Sequence, residues 1–173
     1  MFDQLPSLIS TQRTTITRFG EPDLPNAFEL HQLDEVNRYI PYNNWTTYQD
    51  ALDWYERVQG LRSKQAAEQY VIKLLTKDRF IGTCLVFGFD PQHASAEFGY
   101  VLHPNYWGQG YMLEAMTQFT SSLVSCLNLK TLYASVESPN LASQSLLKKL
   151  QFSLVKEVTQ DNGIVLGKWA KTF

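Results

Sequence analysis

Between residues 69 and 127 the hydrophobic period of the chain changes from two to about 3.6, and that change restricts the sheet it can build. QYVIKLLT (69–76), FIGTCLVFGFD (80–90) and AEFGYVLH (96–103) are β-rich runs separated by the polar turn KDR and the loop PQHAS. Such short connections predict antiparallel hairpins. YMLEAMTQFTSSLVSCLN then sets Met112, Ala115, Met116, Phe119, Leu123 and Leu127 at spacings of three and four, the apolar face of a helix. TLYASV (131–136) follows as a strand, so the third run reaches it through a helical crossover, a connection that joins parallel strands. Both kinds of connection in one chain predict an α/β (α+β) fold with a mixed, mostly antiparallel sheet and helices on its faces.

The flanking elements fit this plan. TTITRF (14–19) reads as a strand and DLPNAFELHQLDEVNRYI (23–40) as a helix. Thr47 and Asp50 form an acidic variant of a capping box, opening a second helix with Leu52, Tyr55, Val58 and Leu61 on one face. Pro139 suits the first position of a helix through NLASQSLLKKLQF, with Leu146, Leu147 and Leu150 inward. Asn162-Gly163 predicts a closing hairpin. The expected order is β-α-α-β-β-β-α-β-α-β-β.

Composition bounds the function. A chain of 173 residues, 44% apolar and 18% charged, is expected to form one domain over 1–173. A net charge of −2 gives no reason to expect a nucleic acid as partner. No run approaches the roughly 20 apolar residues of a membrane span, and MFDQLPSLIS lacks the basic start of a secretory signal, so the expected location is the cytoplasm, away from any membrane. Cys84 and Cys126 read as reduced, buried hydrophobes, and His31, His93 and His103 have no ligand spacing, so no metal is expected.

NYWGQGYMLEA (105–115) places Gly108 and Gly110 where a strand hands over to a helix. A glycine pair there is a plain turn, or a site where backbone N–H groups face an anion with no Cβ in the way. Neither GxGxxG nor GK[ST] is present, which weakens the dinucleotide and nucleoside-triphosphate readings.

The run AEFGYVLHPNYWGQGYMLEA, followed by SPNLASQSLLKKLQF, resembles the core of the GNAT superfamily of N-acetyltransferases, and is most similar to the branch of ribosomal-protein N-terminal acetyltransferases. The resemblance implies the three-layer fold of that superfamily and acetyl-coenzyme A as donor. It implies that Trp107, Gly108, Gln109, Gly110, Tyr111 and Met112 cradle the diphosphate, with Met112 adding bulk beside it. The strand Tyr100, Val101, Leu102 and His103 would offer backbone groups to the pantetheine arm, and Asn140 would reach that arm from the next helix. Gln151 stands where the family has glycine, which predicts a left-handed non-glycine residue at a cost of roughly 1 kcal/mol.

Acetyl transfer needs a neutral amine, a polarised thioester carbonyl and a proton for the departing thiolate. The resemblance assigns carbonyl polarisation to a backbone N–H near Val101 or Leu102. Glu97 is the candidate base, against the alternative of a solvated strand-end carboxylate. His103 is a weaker base candidate that suits the turn before Pro104. The family's usual acid, a tyrosine seven residues after the helix asparagine, is Leu147 here. Ser143 is the candidate donor to the sulfur, against an ordinary helix serine. Tyr39, Tyr42, Trp45, Trp54 and Tyr55 would wall the acceptor cleft or fill the core, with Tyr42 and Trp45 favoured for substrate contact. Asp34, Glu35 and Asp53 are carboxylates that would attract a cationic amine or are merely solvated. The resemblance implies a primary amine as acceptor, such as the N-terminus of a ribosomal protein. The alternatives are a small-molecule amine (polyamine, amino acid or aminoglycoside) and a non-catalytic coenzyme A sensor or interaction module. Monomer and homodimer are equally open.

Overall fold

A computed structural model of the chain describes residues 2–41 and 43–173. One eight-stranded sheet organises them, with spatial order β1-β2-β3-β4-β5-β6-β8-β7. The strands are β1 (Leu8–Ser10), β2 (Thr14–Arg18), β3 (Ala67–Leu74), β4 (Arg79–Asp90), β5 (Ser95–Leu102), β6 (Thr131–Glu137), β7 (Ser153–Thr159) and β8 (Val165–Thr172). Every pairing is antiparallel except β5 with β6. That exception is the crossover expected from the strand, helix, strand order.

The helices are α1 (Leu24–His31), α2 (Asp34–Asn37), α3 (Tyr48–Ser63), α4 (Tyr111–Leu127) and α5 (Leu141–Lys149). They divide between the faces of the sheet. Met112, Ala115, Met116, Phe119, Leu123 and Leu127 of α4 and Leu147 of α5 pack with Ala96, Phe98, Leu132 and Ala134 in one core. On the opposite face, Leu24, Ala27 and Leu30 of α1 and Ala51, Trp54 and Val58 of α3 pack with Phe19, Val71 and Phe80. Among the described residues no helix is long and apolar enough to cross a membrane.

Four local readings change. β1 is a strand too short to show a period, and it pairs with β2. The segment 23–40 is broken rather than one helix: Leu33 is extended (ψ 119°) between α1 and α2. The His31 carbonyl at the end of α1 instead takes the Trp45 N–H at 3.0 Å and the Asn37 amide, so the chain turns there. Helix α3 buries Ala51, Trp54 and Val58 while Leu52 and Leu61 are exposed. Ring contacts of Trp54 with Phe19 (5.1 Å) and Trp45 (5.4 Å) rotate the helix, because an indole removes more apolar surface from water than a leucine. Finally, Pro139 precedes α5 rather than opening it, since Asn140 is the N-cap.

Other local signals hold. Asp50 accepts from the N–H groups of Thr46 and Thr47 at 2.8 Å, completing the cap of α3. Gln151 ends α5 at φ 67°, the left-handed conformation expected of it. Gly163, at φ 81°, turns the β7–β8 hairpin. Cys84 is buried as expected, whereas Cys126 is only half-buried on α4.

Candidate active site

The two central strands separate partway along their length. β5 pairs with β6 only through Ser95, Ala96 and Glu97; beyond them β5 stays with β4 as far as Leu102, and β6 stays with β8 as far as Glu137. A gap opens from Phe98 onward. His103 donates its N–H to Ile81 on the β4 side at 2.8 Å. In the alternation of an antiparallel ladder, Val101 therefore directs its N–H and C=O to β4, while Phe98, Tyr100 and Leu102 direct theirs to the other side, where Phe98 ends the pairing with β6 and Tyr100 and Leu102 face the gap. Of the expected run, His103 and Val101 are engaged with β4. The Leu102 carbonyl is also occupied, by the Trp107 indole N–H at 2.7 Å. The N–H of Leu102 and both backbone groups of Tyr100 face the gap.

The glycine loop lies at the end of β5. Gly108 (φ 70°) and Gly110 (φ 80°) are both left-handed, and Gly110 is the N-cap of α4. Among the described residues, the N–H groups of Gly108, Gln109, Gly110, Tyr111, Met112 and Leu113 donate to no carbonyl or side chain, and the first bond of the helix is Glu114 N–H to Gly110 C=O at 3.1 Å. A run of unpaired amides at a helix N-terminus is an anion site. Gln109 spends its side-chain amide on the Asn105 carbonyl at 2.7 Å and its own carbonyl on Arg13 at 3.0 Å. Met112 is 7% exposed and packs in the core beneath α4, so its bulk falls away from the cradle, contrary to expectation. Tyr111 lies under the Arg13 guanidinium, 4.4 Å from ring centroid to Cζ.

Helix α5 borders the gap on the same face. Asn140 Oδ1 accepts from the Ser143 N–H at 3.1 Å, so the side chain expected to reach the cofactor arm also caps this helix. Ser143 lies one turn before Leu147, which is fully buried. The Tyr100 hydroxyl crosses from β5 to donate to the Ser143 carbonyl at 3.4 Å, and burial pushes the Tyr100 phenol up to about 12. Tyr100 thus keeps its proton at neutral pH. Its hydroxyl is a contact the sequence reading lacked, because that reading used Tyr100 only for its backbone.

Glu97 lies on the other face of the sheet. Successive residues of a strand alternate, so Glu97 and Val101 oppose Phe98, Tyr100 and Leu102. Lys168 Nζ sits 3.4 Å from Glu97 Oε2 and 4.9 Å from the centroid of the Tyr133 ring. A shallow groove of about 180 Å³ lies between α3 and the strands on this face, lined by Trp54, Arg57, Leu61, Gln69 and Leu85. Leu85 is opposite Gly99 of β5, which puts the groove beside Glu97. Trp45, expected to touch substrate, is instead 5% exposed and stacked on His31 at 4.5 Å, so it belongs to the core. Tyr42 lies outside the described residues. Tyr39 reaches across to the Pro139 carbonyl at 3.4 Å. Of the three acidic candidates, Asp34 pairs with Asn44 and Asp53 with Gln49, while Glu35 is exposed on α2.

The model of the acetyltransferase (GNAT) domain family matches residues 13–153. The chain belongs to that family. This acetyltransferase is 30% identical over 142 residues to the uncharacterized N-acetyltransferase p20 of Bacillus licheniformis, covering 82% of this chain and 80% of p20. Its fold matches the acetyl transferase from Salmonella typhimurium that modifies the N-terminal serine of ribosomal protein L7/L12, at TM-score 0.85 and 15% identity, covering 96% of this chain and 99% of that one. It also matches the spermidine N-acetyltransferase of Vibrio cholerae solved with coenzyme A and spermine, at TM-score 0.80 and 16% identity, covering 92% and 95%. The acetyltransferase takes acetyl-coenzyme A as donor.

The residues present suit that donor. Two left-handed glycines allow the loop its turn, and consecutive unpaired amides supply the donors a diphosphate requires. The sequence reading found this loop and missed what holds it. Arg13 and Glu114 are about a hundred positions apart, and neither has a local pattern that points to the other.

Proposed function

We propose that this acetyltransferase acts in the cytoplasm as a single domain and transfers the acetyl group to a primary amine, most naturally the N-terminus of a protein of the ribosomal type. The separation of β5 from β6 carries this reading. It makes a passage through the sheet, with the amide cradle, Tyr100 and Ser143 on one face and Glu97 on the other. Donor and acceptor can then meet from opposite sides.

Acetyl-coenzyme A supplies the activated acyl group. The Leu102 N–H, aimed into the gap, donates to the carbonyl oxygen as charge develops on it. Glu97 accepts the amine proton, directly or through water, and Lys168 beside it steadies the carboxylate. The Ser143 hydroxyl donates to the departing sulfur in place of the tyrosine that Leu147 replaces. Two features support a peptide over a polyamine. Lys168 already balances Glu97, and Glu157 is held by the Ser138 hydroxyl. A polycation calls for carboxylates without such partners.

Thiol release is to be measured with N-terminal peptides, spermidine, amino acids and an aminoglycoside. Turnover is expected to be fastest on the peptides, and Glu97→Gln is expected to lower kcat at least about 100-fold with coenzyme A affinity unchanged. Preference for spermidine would replace the peptide reading. Coenzyme A binding with no turnover on any amine would favour a sensor.

A further inference from the structure

We infer that Arg13, on the turn between β1 and β2, is a positioning residue for the diphosphate cradle, acting through the Gln109–Gly110 peptide. The inference rests on that cradle binding coenzyme A.

Arg13 is tied to Glu114 of α4 and to the glycine loop by three of its donors. Its Nε donates to Glu114 Oε2 at 2.6 Å and its backbone N–H to Glu114 Oε1 at 2.7 Å. Thr11, two residues earlier, donates its hydroxyl to the same Oε1 at 2.5 Å. Leu75, just beyond β3, donates its N–H to the Arg13 carbonyl at 2.9 Å, which anchors the turn to the sheet. Burial opposes ionisation of Glu114, but hydrogen bonds from Thr11 and Arg13 outweigh it and hold the carboxyl below its ordinary range. Glu114 also stands in the first turn of α4, where the helix dipole favours a negative charge.

With the guanidinium fixed in this way, its remaining edge reaches the loop. Nη1 donates to the Gln109 carbonyl at 3.0 Å. In a trans peptide the following N–H points opposite to the carbonyl. Holding the Gln109 carbonyl toward Arg13 therefore turns the Gly110 N–H outward, with the other free amides. The fit at Gly110 is close, since a Cβ there would lie 3.4 Å from Arg13 Nη2. The Tyr111 ring packs under the same guanidinium. A loop with two left-handed glycines has more unfolded-state freedom than other loops, and Arg13 selects the conformer with its donors aligned.

The test compares Arg13→Ala and Arg13→Lys with the parent. Calorimetry with coenzyme A is set beside turnover with S-acetylpantetheine, which carries no phosphate, and hydrogen exchange of residues 108–113 is followed without ligand. Arg13→Ala is expected to weaken coenzyme A about tenfold, the equivalent of one charge-assisted hydrogen bond. Turnover with S-acetylpantetheine should change less than about twofold, and the loop amides should exchange faster while the centre of α4 does not. Arg13→Lys, which keeps the charge and loses the fork, should recover only part of the affinity. Equal losses with both donors, or unchanged coenzyme A affinity with unchanged loop exchange, would overturn the inference. If the parent protein itself fails to bind coenzyme A, the reading of the cradle falls instead.

Discussion

The two faces of the sheet that we propose for donor and acceptor are built from different materials. On the donor face the working groups are backbone amides of one loop, presented by left-handed glycines and braced by Arg13 and Glu114. On the face we propose for the acceptor, the groups that meet are side chains from distant strands: Glu97 from β5 and Lys168 from β8, with the Lys168 ammonium over the Tyr133 ring of β6. Backbone donors are indifferent to most substitutions, so a loop of this kind can serve every member of a family. Side-chain walls change with each replacement, and they are where one acetyltransferase can differ from another.

The largest expected effect sharpens this contrast at Leu147, which stands at the family's tyrosine position but is fully buried among α4 and the sheet. Leu147→Ala should lower stability by about 2–5 kcal/mol, the range for a truncated core leucine. Denaturant unfolding checks this; a loss of turnover with no loss of stability would show that the position does chemistry after all.

A smaller effect is expected from Gly110→Ala. The φ of 80° costs an L-residue about 1–2 kcal/mol, and the added Cβ comes against Arg13 Nη2. Coenzyme A affinity should fall while the intrinsic rate on the acceptor is retained at saturation. A variant that binds coenzyme A as the parent does would break the distinction between the two faces.

The mildest probe is acid, which should loosen the faces at different pH. Burial depresses the His31 pKa below 6.5, with a hydrogen bond to Asn37 opposing it. The unfolded chain then takes up a proton that the folded one refuses, so stability falls as pH drops below 6.5 and continues to fall until the folded His31 titrates. Glu114 behaves otherwise: its depressed folded pKa gives a contribution present above 4.5 and lost as pH falls through the lower folded value. Trp45 and Trp54 surround His31, so their fluorescence should respond first, and hydrogen exchange of the glycine loop only in stronger acid. A simultaneous response would mean the two faces unfold as one unit in this range.

The ease of reading the two faces differed for the same reason. The glycine pair and the apolar spacing along α4 are local, so the loop and the inward face of that helix were legible in the chain, whereas the cradle and Asn140 came only from the family resemblance and the capping by Asn140 was not foreseen. Even the left-handed Gln151 followed from one position in a motif. The acceptor side misled: Trp45 looked free in a polar stretch, yet His31 and Trp54 enclose it. Helix α3 turned its tryptophan inward where leucines at similar spacing offered another face.

By itself, the sequence determined the mixed sheet, the crossover that makes β5 and β6 parallel, and the glycine loop at the start of α4, because each depends on the period or conformation of neighbouring residues. Only the tertiary structure decided where β5 leaves β6, which backbone groups face the gap, that Lys168 stands beside Glu97, and that Arg13 braces the loop. Those contacts join residues far apart in the chain, and no local preference selects one partner over another until the sheet has closed around them.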